Sequence, residues 1–291
     1  VGDAASPVAS LRRRVDLALS GWADREIASE DELGRAVREA LLSPGKRVRP
    51  VLMLLVGELF ATPPDRLLDL ALIVEMVHAA SLVLDDLPSM DDAPLRRGRP
   101  SLHRAFGEAT AILAAFDLLN RAHAFLPAAL EKARIPRRLA QTAGRQMAAT
   151  VTSLCAGQIL DLAGAAATVE ELERVHAGKT GALFVLSAGW GAMAGRATRA
   201  ERDAVEDFAR NLGLAFQVVD DALDASAPSA RLGKPTGQDA GKVTFVDLLG
   251  LEGSRRLARE LADTAVTALA GFGRRAETLC SFAREVIERD A

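Results

Sequence analysis

The chain has 291 residues, 49% apolar and 26% charged, enough to bury a sizeable core in one large domain or two small ones. Its 36 basic and 39 acidic side chains leave a net charge of −3, and aromatic residues make up only 4%, so neither a basic field nor stacking rings favour nucleic acid. The longest nearly uncharged stretch, Gly181 to Gly195, is too short and too glycine-rich to span a bilayer, and the first residues lack an apolar signal core, so a soluble cytoplasmic protein is expected.

Apolar residues recur at helical rather than alternating spacing, tyrosine is absent and β-branched runs are few, so every element is predicted helical. In chain order, Lys46-Arg47-Val48-Arg49 precedes Pro50 and "VLMLLVGELF". Proline in a first helical turn loses no hydrogen bond, which puts the basic run on a loop and helix start. Breaks follow at Ala61–Pro64, Ile135–Pro136, Ala163–Ala167 and Gly195–Thr198, all short enough for neighbouring helices to pack together. Thr168 with Glu171 and Thr198 with Glu201 have the spacing of a capping box, and each is expected to open a long helix. The stretch from Ala225 to Thr244 is rich in Gly and Pro and has little periodicity, and a loop that long inside a compact domain is more often functional than idle. No linker divides the chain, so one domain over residues 1–291 is expected. Cys155 and Cys280 lack metal-ligand spacing and read as two buried thiols.

Carboxylates gather at the ends of two apolar helices. The first cluster is Asp85, Asp86, Asp91 and Asp92, after "IVEMVHAASLVL"; the second is Asp220, Asp221 and Asp224, after "NLGLAFQVV". Asp220 and Asp224 are one helical turn apart and face the same way. Asp85 and Asp91 would lie roughly 240° out of phase on a continuous helix, so they converge only if the helix stops between them. Pro88 supplies the stop. Clustered carboxylates repel unless cations join them, and Mg2+ is the oxygen-preferring partner when phosphate is present. Cationic side chains accompany them: Lys46 and Arg49 beside Gly45, Arg96 and Arg97 after the first cluster, Lys179 after Gly178, and Lys234 and Lys242 on the long loop. Such a set suits a polyanion bridged by metal. The P-loop pattern is absent, and no GxGxxG follows a strand.

Five motifs in order, "GKRVRP", "HAASLVLDDLPSMDDAPLRRGRP", "GQILDL", "GKTGALF" and "FQVVDDALD", with "LGKPTGQDAGKVTF" closing the set, resemble those of the trans-isoprenyl diphosphate synthases, the polyprenyl synthetase family. Four residues between the paired and the third Asp make the chain most similar to bacterial synthases of the carotenoid type that make geranylgeranyl diphosphate. The resemblance implies an all-α bundle around a central cavity, a homodimer, and Mg2+, three ions with substrate bound. It also implies condensation of isopentenyl diphosphate with an allylic diphosphate by ionisation, head-to-tail attack and proton loss.

Carried over by motif, Asp85 and Asp91 bind Mg2+ with Asp86 and Asp92 in support, and Asp220 binds it opposite, with Asp221 and Asp224 nearby. Arg96, Lys179 and Lys234 hold the allylic diphosphate. Gly45, Lys46, Arg49, His78 and Arg97 hold isopentenyl diphosphate, and Lys242 belongs with the substrate-binding set. Thr180 and Gln217, beside Phe216, stabilise the cation as neutral oxygen carriers, and the loop around Lys234 to Lys242 is a candidate lid. On its own a single His on an apolar helix reads as a core residue, but His78 lies two turns below Asp85 on nearly the same face.

The tail of the product is expected to run down the helix that bears Asp85. Ser81 is one turn below it, and Ala80 roughly 7.5 Å down the axis. Both are small where fifteen-carbon synthases resembling this motif commonly carry an aromatic ring, which implies a twenty-carbon product or longer. Met76, Val77 and Phe116 are candidate deeper stops. Phe116 stands in "AILAAFDLL" where the family often has "AILAGDALL"; it is expected either to shorten the product or to sit in a helix–helix core. A class I terpene cyclase is the rival enzyme, but "DDALD" departs from its second metal motif and "GKRVRP" provides a second diphosphate site that a cyclase does not need. A non-catalytic prenyl-diphosphate-binding subunit would show decayed metal ligands, and here every Asp position is intact.

Overall fold

A computed structural model describes residues 6–27, 30–164, 166–226 and 242–288. Helix α1 (Pro7–Glu26) starts where the Ser6 hydroxyl accepts from the Ala9 amide and proline fills a position that needs no donor. Helices α2 (Glu32–Leu42) and α3 (Val48–Leu59) follow, with Pro50 in the first turn of α3 as predicted. Helix α4 (Pro64–Asp85) is the centre of the bundle. It packs along α3 and along α6 (Glu108–Lys132), which follows the short α5 (Leu102–Phe106), and also touches α1, α2, α7 (Arg137–Ala163) and α9 (Ala182–Ala194).

Its sequence explains that position. Leu67, Leu70, Ile73, Val74, Met76, Val77, Ala80 and Val83 are buried on all sides of the helix, as a helix apolar all round must be. Fully burying each of the larger side chains contributes roughly 1.5–3 kcal/mol. By length and composition α4 could cross a membrane, yet here most of it is covered by the other helices.

One apolar cluster unites α1 to α4, α6, α7, α9, α12 (Glu277–Ile287) and part of α10 (Arg199–Ser226). A smaller one, around Leu172, Val218, Val219, Phe245 and Ala258, joins α8 (Val169–His176), α10 and α11 (Phe245–Ala268). A 3-10 turn, Ala270–Ala276, leads into α12. Both expected capping threonines work: the Thr168 hydroxyl accepts from the Glu171 amide at 3.3 Å, and Thr198 does the same from Glu201.

Three expectations are corrected, and one detail is added to the all-helical fold. The helix opened by Thr168 does not run on regularly: a π-helical turn, Ala177–Gly181, separates α8 from α9, and it falls on "GKTG". The added detail is a two-stranded hairpin of two residues a side, β1 (Leu95–Arg96) against β2 (Arg99–Pro100), in an otherwise all-α fold. Arg97 and Gly98 at its tip both have positive φ (54° and 77°), the signature of the tight turns that suit right-twisted hairpins. Cys155 is exposed and Cys280 half-buried rather than both sealed in the core. Phe116 is 71% exposed on the outer side of α6, so it is not a helix–helix core residue.

Candidate active site

The first aspartate cluster takes the predicted shape. Helix α4 ends at Asp85, Pro88 prevents its continuation, and the chain turns back so that the Asp91 amide donates to the Asp85 carbonyl at 2.9 Å. Asp86 is buried and accepts a forked ion pair from Arg96, whose Nε lies 3.0 Å from both carboxylate oxygens. That pair fixes the hairpin against the end of α4. Burial pushes the Asp85 carboxyl up to about 6, and the neighbouring Asp91 and Asp86 add to this while Lys179 and Arg96 oppose it. A carboxylate so placed gains from a cation.

Asp91 already holds one: the Lys242 ammonium lies 2.6 Å from its Oδ1. The same ammonium reaches Asp161 Oδ2 at 2.7 Å, and Lys179 meets that oxygen at 2.7 Å. Burial raises the Asp161 carboxyl, but the two lysines more than offset this and hold it below the usual carboxylate range. Asp161 was not singled out from sequence, although it is the acid of "GQILDL"; the motif was the available signal. Next to Lys179, the Thr180 hydroxyl donates to Gln217 Oε1 at 3.1 Å, and Gln217 Nε2 donates to Asp221 Oδ1 at 2.9 Å. A line of contacts therefore runs from Asp91, in the turn after α4, through α7 and the π turn to Asp221 on α10.

The π turn is held by glycine. A Cβ on Gly157 would come within 2.3 Å of the Lys179 amide nitrogen, so α7 and the turn approach backbone to backbone. A wider turn at this point projects Lys179 and Thr180 side by side, a common use of π geometry at functional sites.

The second group of basic residues also assembles. Arg49 Nη1 lies 3.2 Å from His78 Nε2, and its guanidinium lies over the Phe184 ring at 5.0 Å and the Phe216 ring at 6.0 Å. An arginine only donates, so the facing His78 nitrogen carries no proton. Burial, then the charges of Arg49, Arg97, Arg96 and Arg47, push His78 well below its ordinary range and keep it neutral. Arg97 Nη1 donates to the Pro44 carbonyl at 2.5 Å, and a side chain at Gly45 would meet that guanidinium at 2.6 Å. Lys46 is exposed on the same turn.

His78, Ser81 and Asp85 retain accessible surface at i, i+3 and i+7 along a helix that is otherwise mostly sealed. Val77 and Ala80 are fully buried beside them. Asp220 is half-buried, Asp224 exposed and Asp221 buried. Lys234 lies outside the described residues.

The fold is a helical bundle with one short hairpin, with aspartates at or near the ends of two helices and Arg96 and Lys242 paired with the first of these clusters. A model of the polyprenyl synthetase family matches residues 30–268. A geranylgeranyl diphosphate synthase of Pantoea ananas is 41% identical over 252 residues, 84% of this chain and 79% of that protein. A probable farnesyl diphosphate synthase of Sinorhizobium fredii is 41% identical over 275 residues, 92% and 82% of the two chains. The crystal structure of a geranyltransferase from Helicobacter pylori complexed with magnesium and isoprenyl diphosphate matches with a TM-score of 0.82 at 27% identity, covering 99% of this chain and 98% of that one. The chain belongs to the polyprenyl synthetase family.

Proposed function

We propose that the protein condenses isopentenyl diphosphate with an allylic diphosphate, dimethylallyl, geranyl or farnesyl, to give geranylgeranyl diphosphate. The observation that carries this is the line of contacts from Asp91 through Lys242, Asp161 and Lys179 to Thr180, Gln217 and Asp221. Support comes from Lys179, one of the proposed grips, standing next to the Thr180–Gln217 pair on that line.

The donor set fits Mg2+. Asp91 accepts a cation at 2.6 Å. Mg2+ is commonly held by one or two carboxylates with phosphate oxygens completing the shell. Asp85, Asp91 and Asp220 would bind it, with Asp86, Asp92 and Asp224 in support. Bound there, it neutralises charge that develops on the departing diphosphate.

Lys179, Arg96 and Lys234 hold the allylic diphosphate, and Lys242 turns from Asp91 to phosphate as substrate arrives. As the carbon–oxygen bond breaks, diphosphate leaves with the electron pair. Thr180 and Gln217 stabilise the allylic cation without capturing it, because neither is a strong nucleophile. Lys46, Arg49, His78 and Arg97 orient isopentenyl diphosphate so that its double bond attacks. The proton then lost from carbon passes to the departing diphosphate.

Equal identity to a geranylgeranyl and a farnesyl synthase leaves chain length to individual residues. Ser81 on the accessible stripe and Ala80 beside it put no ring below Asp85, which favours twenty carbons. Phe116, with Ile112 (47% exposed) and Leu113 (58%), forms an outward apolar face on α6 that we assign to a second copy of the chain, giving a homodimer. We place the enzyme in the cytoplasm as a single domain. Asp91→Asn tests the reading: Mg2+-dependent incorporation of labelled isopentenyl diphosphate should fall at least a hundredfold, and unchanged turnover would reject the metal assignment.

A further inference from the structure

We propose that Asp221 is a positioning residue rather than a metal ligand, holding the Gln217 amide and the start of α11 so that Thr180 and Gln217 present oxygen lone pairs to the allylic cation. The proposal rests on Thr180 and Gln217 facing that cation.

Asp221 is 7% exposed, and each carboxylate oxygen is already engaged. Oδ1 accepts from Gln217 Nε2 at 2.9 Å, one turn earlier on α10. Oδ2 accepts from the Phe245 amide at 3.1 Å. That amide is the first of α11 and its residue is fully buried, so without Asp221 it would be a donor sealed away from water. A carboxylate at a helix start is also favoured by the helix dipole.

The bond to Gln217 carries information. A carboxylate only accepts, so the Gln217 group facing it must be the amide NH2, and the amide oxygen must point the other way. It points to Thr180, 3.1 Å distant, and an amide oxygen only accepts. The Thr180 proton is therefore committed to Gln217, which leaves the hydroxyl oxygen with lone pairs and no outward proton. A site that must stabilise a cation needs this polarity; the reversed chain would aim N–H and O–H dipoles at it. Asp221 sets the direction of the whole chain.

The test compares Asp221→Asn with Asp220→Asn, Gln217→Leu and the double variant Gln217→Leu/Asp221→Asn. Asparagine retains one acceptor and loses the other. Three readouts are taken: the Mg2+ concentration giving half-maximal rate, kcat and KM with farnesyl diphosphate, and the share of ionised substrate that water captures as prenyl alcohol instead of elongating. For Asp221→Asn we expect unchanged Mg2+ dependence and KM, a kcat lowered about 10- to 100-fold, and an increased alcohol share. In the Gln217→Leu background the effect of Asp221→Asn on the alcohol share should vanish, since Asp221 acts through Gln217. A Mg2+ requirement raised as in Asp220→Asn, or additive effects in the double variant, would overturn the proposal. An unchanged alcohol share in Gln217→Leu would instead overturn the cation-facing reading of Gln217. Should Asp221→Asn not fold, a crystal structure of the native chain with Mg2+ and a non-ionising thiolo analogue of the allylic diphosphate decides. Metal coordinated by Asp221 there overturns the proposal, and retention of both hydrogen bonds supports it.

Discussion

Arg47 and Arg49 stand two apart in "GKRVRP" and have opposite fates. Arg47, at a left-handed position (φ 51°), turns inward to Glu75 at 2.5 Å, Asp16 at 2.8 Å and the Ser43 carbonyl at 2.8 Å. Arg49 faces His78 and two rings. Residue type and spacing could not separate a structural from a substrate-facing arginine, because the difference lies in the backbone conformation at the helix start. Removing one partner of a buried ion pair strands the other, so Arg47→Ala should cost roughly 3–5 kcal/mol, read from the urea midpoint, while Arg47→Met with Glu75→Leu should recover most of it. A second residue-scale prediction concerns His176. Burial, with Lys179 and Lys242 adding and Asp161 opposing, lowers it to about 4. A histidine lowered in the folded state costs nothing above its ordinary 6.5; as pH falls below that, the unfolded chain takes the proton first. Stability should therefore drop by about 3 kcal/mol between pH 6.5 and about 4 on this account, and His176→Gln should remove that share of the acid loss in melting experiments.

At the scale of elements, helix starts and stops were legible because they are local chemistry. Thr168, Thr198 and Pro50 act where their side chains dictate, and Pro88 ends α4 so that Asp85 and Asp91 converge. The π turn was not legible. It arises where α7 presses against "GKTG", a contact between glycines 21 residues apart that no local pattern encodes. Asp161 stayed hidden for the same reason: its importance comes from two lysines, one 18 and one 81 residues away, meeting on one oxygen. Gly157→Ala should push the turn aside and displace Lys179 and Thr180. A displacement near 1 Å predicts a loss of about 100-fold in kcat with the melting temperature lowered only modestly, measured by steady-state assay beside thermal denaturation.

For the whole molecule, the all-α bundle followed from helical periodicity and the family resemblance, whereas the outer face of α6 did not. Phe116 in an apolar run looks like core or channel from sequence, and only the packing shows it turned outward. Phe116→Glu should convert a dimer to a monomer in sedimentation experiments, with the fold retained. We propose that the bundle makes a twenty-carbon chain from two diphosphates, with Mg2+ held by the aspartates after α4 and on α10. The most direct measurement incubates the purified protein with Mg2+, labelled isopentenyl diphosphate and farnesyl diphosphate, then sizes the dephosphorylated product. The account predicts one addition and a geranylgeranyl product that a chelator abolishes; refusal of farnesyl diphosphate with accumulation of fifteen-carbon product from shorter primers would contradict it.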